Sequence, residues 1–133
     1  MNIKSKKILC EMSAGELFDK ISILEIKLTK IHDKESLTEI NKEYKVLTKT
    51  RDLNIKVSVE LKKLFEDLKT TNLKLWNIED DIRSCEKNKD FSNNFVELAR
   101  KVYFSNDKRS EIKSEINKLL GSNIREIKKY SKY

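Results

Sequence analysis

The stretch that decides the fold is Val59 to Lys87, VELKKLFEDLKTTNLKLWNIEDDIRSCEK. Leu61, Leu64, Leu68, Thr71, Leu75, Ile78, Ile82 and Cys85 recur along it at alternating spacings of three and four residues. That period puts one apolar stripe on one side of an α-helix. Ser58 stands where an N-cap is wanted. After the loop Asn88-Lys89-Asp90 and a second capping serine, Ser92, a matching stripe follows: Leu98, Val102, Ser105, Arg109, Ile112, Ile116 and Leu119. Gly121 then sits at the position after a helix end that favours a left-handed backbone. Each helix would be about 43 Å long at 1.5 Å per residue. Two helices of equal length joined by a short loop predict an antiparallel hairpin.

Before the hairpin, Ser13-Ala14-Gly15-Glu16 forms a capping box, with Met12 and Leu17 at the staple positions. Leu17, Ile21, Leu24, Leu28 and Ile31 continue as a stripe, so a first helix is expected from about Ala14 to His32. Phe18, Ile23 and Ile26 widen its apolar face and imply more than one packing partner. A second helix is expected from near Ser36, carried by Leu37, Ile40, Tyr44 and Leu47, with a break over Lys49 to Lys56. A short extended strand is expected before Ser13. A last short helix is expected from Asn123, where Glu126 completes an N-x-x-E box, followed by a frayed basic tail.

The resulting expectation is an all-α fold, an antiparallel bundle of about four main helices with a long C-terminal hairpin and coiled-coil-like packing. It is one domain over residues 1–133. Within it, 1–12 is a basic N-terminal segment, 13–57 holds helices 1 and 2, 58–121 the hairpin, and 122–133 a short helix and basic tail. The absence of proline and the presence of only two glycines argue against a β-sandwich or barrel, whose turns need them. A membrane span needs about 20 mostly apolar residues, and the apolar runs here are three or four long. No apolar stretch follows the basic Met1 to Lys7, so no secretory signal is expected and the expected location is cytoplasmic.

The net charge is +7, and the segments 1–12 and 121–133 carry +5 of it. Only five of the 29 cations are arginines. Lysine, asparagine and isoleucine richness is also what an AT-rich genome favours, so the basicity is a weak pointer to nucleic acid. Lys4, Lys6 and Lys7, with Arg125, Lys128, Lys129 and Lys132, are either solvated ends or an anionic-surface contact. Cys10 and Cys85 are isolated and His32 is the lone histidine, which leaves no zinc-type ligand set. No metal or cofactor is expected. Two lone cysteines suit a reducing compartment better than a disulfide.

Polar residues interrupt the hairpin stripes. Folding the hairpin about residue 89 makes Asn72 face Asn106, Glu79 face Arg100 and Arg83 face Glu97, with Thr71 within a turn of Arg109. A buried charge must be paired. One reading is a set of interhelical bridges that fix register. The other is a polar pocket for an anionic small molecule, with Arg100, Arg109 and Lys113 as clamps because cationic side chains hold carboxylate or phosphate. The ligand-binding candidates are Asn72, Glu79, Arg83, Arg100, Asn106 and Arg109. Glu79-Asp80-Asp81 lacks a second acidic segment at matching height, which argues against a metal site. Trp76 reads as a core or interface anchor. Gly15 in the first turn permits a close backbone approach and, with Lys6 and Lys7 nearby, is a candidate anion cradle, but the capping box already explains most of that motif.

These residues fall into three blocks: Ser13-Ala14-Gly15-Glu16-Leu17 with Asp19-Lys20-Ile21 and Ile23-Leu24-Glu25-Ile26-Lys27; Leu75-Trp76 with Ile78-Glu79-Asp80-Asp81-Ile82-Arg83 and Asp90-Phe91; and Glu97-Leu98-Ala99-Arg100, Val102-Tyr103, Asn106-Asp107, Arg109 and Glu115-Ile116-Asn117 with Leu120-Gly121-Ser122. The pattern resembles an uncharacterised bacterial domain-of-unknown-function family over nearly the whole chain. Segment 33–60 matches loosely and is richer in lysine. The resemblance brings no established activity. It implies an association with glycosyltransferase or tetratricopeptide regions in surface-polysaccharide contexts. It also draws attention to polar residues, adding Glu16, Asp19, Lys20, Asp80 and Asp107, with Lys113, as secondary candidates.

Three functions compete. The first is a small cytoplasmic helical interaction or accessory module, acting through a protein partner or homo-oligomer on the hairpin, in surface-polysaccharide biosynthesis. The second is a protein or enzyme binding a small anion inside the bundle. The third is weak nucleic-acid binding through the basic termini, disfavoured by the lack of clustered arginines and interleaved aromatics. No Ser-His-Asp set, P-loop or GxGxxG pattern supports a familiar catalytic mechanism, and whether the chain is an enzyme is left open.

Overall fold

The structure is a computed structural model, and residues 6–133 are described. Four helices make up its regular structure: α1 (Ala14–Lys30), α2 (Lys34–Asn54), α3 (Val59–Lys87) and α4 (Asn93–Leu120). No strand occurs among the described residues. The strand expected before Ser13 is not formed over residues 6–12, and its Ile3, like the basic Lys4, lies outside the described residues.

Helices α3 and α4 form the antiparallel hairpin. Ser58 Oγ accepts from Leu61 N at 3.1 Å, so the predicted cap starts α3. Gly121 ends α4 in the left-handed region at φ 62°. Ser92 stands at the N-cap of α4 but makes no side-chain cap bond. The turn between the helices uses a second left-handed residue, Lys89 at φ 54°. The hairpin register is the one obtained by folding about residue 89. Leu68 lies with Ile112 and Ile116 in one apolar cluster, and Ile78, Ile82 and Cys85 lie with Phe95, Leu98 and Val102 in another.

Helix α1 lies on one side of this hairpin and packs against α2, α3 and α4. Gly15, Leu17, Phe18, Asp19, Ile21, Ser22, Leu24 and Ile26 are all buried, which is why its stripe is wider than a two-helix contact needs. Phe18 joins Leu61, Leu68, Ile112 and Ile116 in the inner cluster. Helix α2 touches α1 alone and has no buried residue. Leu37, Ile40, Tyr44 and Leu47 are half-buried, as their spacing predicts.

Three boundaries differ from the sequence expectation. Helix α1 stops at Lys30, short of His32, because Asp33 caps the next helix by accepting from Ser36 N at 2.9 Å. Helix α2 runs through the expected break to Asn54, where Thr50 and Asn54 side chains bond carbonyls one turn back. The short helix expected from Asn123 is absent, and residues 123–133 are irregular. Its Ile124 and Ile127 are exposed, and a helix that short gains little without packing.

Candidate functional site

Five of the polar residues that the sequence brings into question, Asn72, Arg109, Glu16, Asp19 and Lys113, meet at the α1 face of the hairpin. Helix α1 starts against α4. Ser13 Oγ accepts from Glu16 N at 3.3 Å. Asn117 Oδ1 accepts from Gly15 N at 2.7 Å, and Ser122 Oγ accepts from Ala14 N at 2.7 Å. The first amides of a helix have no partner within it, and here side chains from the end of α4 supply them. The approach requires glycine. A Cβ on Gly15 would lie 2.5 Å from the Lys113 carbonyl oxygen and 3.0 Å from Asn117 Oδ1. The expected anion cradle at Gly15 is therefore corrected: its amide donors are already taken by the protein.

One turn further on, Asp19 is the hub. It is 1% exposed. Arg109 Nε donates to Oδ1 at 2.9 Å and Nη2 to Oδ2 at 2.5 Å, a bidentate grip. Asn72 Nδ2 donates to Asp19 Oδ1 at 2.9 Å and to Ser22 Oγ at 2.8 Å, and the Ser22 hydroxyl donates back to the Asp19 carbonyl. Lys113 Nζ donates to Glu16 at 2.8 Å and to Glu126 at 3.1 Å, with Asp19 Oδ2 at 3.9 Å. Every buried side-chain nitrogen or oxygen among the described residues has a hydrogen-bond partner. The arrangement raises two pKa values. The Asp19 hydrogen bond lifts the Arg109 guanidinium above its ordinary value against the opposing effect of burial. Burial works against the Lys113 ammonium, but its hydrogen bonds to Glu16 and Glu126 and the Asp19 charge outweigh it, so its pKa also stands raised.

The structure thus brings together Asn72, Arg109, Glu16, Asp19 and Lys113, and separates the rest. Glu79 and Arg83 are exposed and pair with each other along α3 at 3.9 Å. Arg100 is exposed and pairs with Glu97 at 3.1 Å. The expected cross-hairpin pairs Glu79–Arg100 and Arg83–Glu97 are not made, because partners three or four residues along the same helix are nearer. Asn72 turns to α1 instead of Asn106, which is half-buried. Lys20 and Asp80 are exposed, and Asp107 is exposed and accepts from the Tyr133 hydroxyl.

A second junction was not singled out from sequence. Glu25 on α1 accepts from Tyr44 OH of α2 at 3.1 Å and from Lys69 of α3 at 2.9 Å. Its only signal was a carboxylate inside an apolar run. Burial raises the Tyr44 pKa, and the Glu25 charge and hydrogen bond add to it.

Among the described residues, no three His, Cys, Asp or Glu side chains are grouped to hold a metal. Cys10 is exposed and Cys85 buried, both free. No helix among the described residues is long and apolar enough to cross a membrane.

Against known proteins, the model of a family of unknown function, DUF6165, matches residues 8–133. Neither the curated proteins nor the solved structures give a match. The family match takes in all four helices and both polar junctions, and the chain belongs to DUF6165, a family of unknown function.

Proposed function

We propose that this chain is a helical protein-interaction module whose binding element is the outer half of the α3–α4 hairpin, and that the first partner it fits is a second copy of itself. The observation that carries this reading is the unequal cover of the hairpin. Helix α1 covers the hairpin where Leu61, Phe65, Leu68 and Asn72 of α3 and Asn117, Lys113 and Arg109 of α4 reach it. The same rows continue at helical spacing through Trp76, Glu79 and Arg83 on α3 and Val102, Ala99 and Phe95 on α4. There the hairpin has only its own two helices: Ile82, Phe95 and Val102 pack on its own apolar cluster of Ile78, Cys85 and Leu98, yet with Trp76 and Ala99 they remain half-buried. Helices bury such stripes by packing into bundles.

Charge supports a two-fold arrangement. The α3 flank carries Glu79, Asp80 and Asp81, and α4 carries Arg100 and Lys101 at the same height. In a two-fold pair, each acidic flank can meet the other copy's basic flank, along a coiled-coil-like seam. Cytoplasmic residence and an accessory role beside glycan-building enzymes belong to the same proposal, and the latter rests on the family resemblance alone. The closed hydrogen bonding around Asp19 disfavours the alternative of an anionic metabolite inside the bundle.

Sedimentation velocity over a range of concentrations tests the proposal. The expected result is a reversible dimer that Val96→Glu, an exposed change at the edge of this surface, converts to monomer. A monomer at every concentration overturns it.

A further inference from the structure

Two irregular segments, residues 6–12 and 123–133, leave the bundle at the end away from the hairpin turn, where α1 begins and α4 stops. Their bases are tied together. Ser122 Oγ accepts from Ala14 N at 2.7 Å, and Glu11 accepts from Asn123 Nδ2 at 2.8 Å. The bonded residues are 108 and 112 positions apart in sequence, so the fold makes neighbours of two stretches that the sequence keeps at opposite ends.

Both segments carry the same combination of side chains. Ile8 and Leu9 are 91% and 89% exposed, and Ile127 and Tyr130 are 82% and 77% exposed. Lys6 and Lys7 stand beside the first pair, and Arg125 and Lys129 beside the second, all exposed. None of these four cations pairs with a carboxylate among the described residues. The two carboxylates of the segments are spent on the protein itself: Glu11 takes Asn123, and Glu126 pairs with Lys113 at 3.1 Å. Aliphatic side chains gain free energy when they leave water, in proportion to their apolar area. This end of the bundle holds such side chains in water beside positive charge that no acid offsets.

We infer that this end of the bundle is a peripheral contact surface for an anionic lipid bilayer, with Lys6, Lys7, Arg125 and Lys129 among the headgroups and Ile8, Leu9, Ile127 and Tyr130 at the acyl boundary. Anionic headgroups attract juxtaposed lysine and arginine over about a Debye length. Apolar side chains then hold what charge has gathered, and lasting peripheral binding takes two such signals together. Tyrosine suits the headgroup level, being apolar in its ring and polar at its tip. Residues 6–12 and 123–133 make no backbone–backbone hydrogen bond, so they can settle on a bilayer without breaking regular structure. A nucleic acid would match the charge but has no use for the aliphatic side chains, since single strands stack on aromatic rings. The contact is with the surface, no helix among the described residues being long and apolar enough to cross a membrane. Tyr133 takes no part: its ring packs on Tyr103 and Phe104, and its hydroxyl donates to Asp107. The dimer proposed above uses the other end of the hairpin, and the two readings stand or fall separately.

Co-sedimentation of the full chain with vesicles tests the inference. The probes are vesicles of phosphatidylcholine alone and of phosphatidylcholine mixed two to one with phosphatidylglycerol. Binding is expected to the mixed vesicles and to be at least about tenfold weaker to phosphatidylcholine alone. Lys7→Glu/Lys129→Glu, one cation from each segment, is expected to weaken binding to the mixed vesicles about tenfold or more. Leu9→Ser/Ile127→Ser is expected to weaken it while leaving every charge in place. All four positions are exposed and outside the helices, so helical circular dichroism should be unchanged in both variants. No binding to the mixed vesicles, equal binding to both vesicle types, or undiminished binding by either variant overturns the inference. So does tighter binding to a single-stranded oligonucleotide that Leu9→Ser/Ile127→Ser leaves unaltered, which would assign the surface to nucleic acid.

Discussion

Arg109 of α4 grips Asp19 of α1 through two parallel hydrogen bonds, at 2.9 and 2.5 Å, across 90 residues of sequence. Asp19 is buried, and the Arg109 side chain retains 29% exposure. Removing one partner of a buried pair strands the other, at a cost of about 3–5 kcal/mol. Since Arg109 still reaches water, Asp19→Asn is expected to cost about 3 kcal/mol, the low end of that range. Arg109→Met leaves a buried carboxylate and is expected to cost more. Urea unfolding of both single variants and the double variant checks this. The double variant should be more stable than the sum of the two losses predicts.

Gly15 and Gly121 should respond to alanine for different reasons. At Gly15 the new methyl would meet the Lys113 backbone at 2.5 Å and must push α1 off α4. Overpacking of this kind costs about 1–3 kcal/mol. It also breaks the Gly15–Asn117 bond, so the upper end is expected. At Gly121 nothing lies within 4 Å of the new methyl. Only the left-handed backbone is penalised, by about 1 kcal/mol. Thermal unfolding of the two variants should rank them in that order.

Lys89→Gly is expected to stabilise. Lys89 holds φ 54° in the hairpin turn, which costs a non-glycine residue about 1–2 kcal/mol. The greater freedom of glycine in the unfolded chain returns about 0.5–1 kcal/mol of that. A net gain of about 0.5 kcal/mol should appear as a small rise in the urea midpoint.

Stability should fall in alkaline solution. Lys113 and Tyr44 both have folded pKa values above their ordinary 10.5 and 10.0. The folded state therefore holds protons that the unfolded state releases first. The contribution is fully present below pH 10 and is lost as pH rises through the folded values. Thermal melts from pH 8 upward should show a decline beginning near pH 10. Lys113→Met should start from a lower stability and lose less across the same interval.

The hairpin was legible because its signals are local and agree. Ser58, Gly121 and two stripes of equal length fix the ends, the register and the antiparallel pairing. The end of α2 was not legible, since Lys49 to Asn54 carries little apolar pattern and is held by bonds along its own turn. The joint was half legible. Asn72 and Arg109 stand out as polar groups on apolar faces, but periodicity fixes height along a helix and not which neighbour lies to the side. Their partner is Asp19 on α1, not the opposite arm of the hairpin. The role of Glu126 was hidden for a similar reason: its N-x-x-E spacing suggests a helix cap, while the residue is spent on Lys113.

A closed polar joint holds α1 in place, and the outer hairpin is the proposed binding element. Amide hydrogen exchange of the full chain at low and high concentration tests that division most directly. The account predicts added protection at high concentration in residues 75–87 and 93–104, with the amides around Asp19, Asn72 and Arg109 unchanged. Protection that is independent of concentration, or that appears around Asp19 on adding an anionic metabolite such as a sugar phosphate, would contradict it.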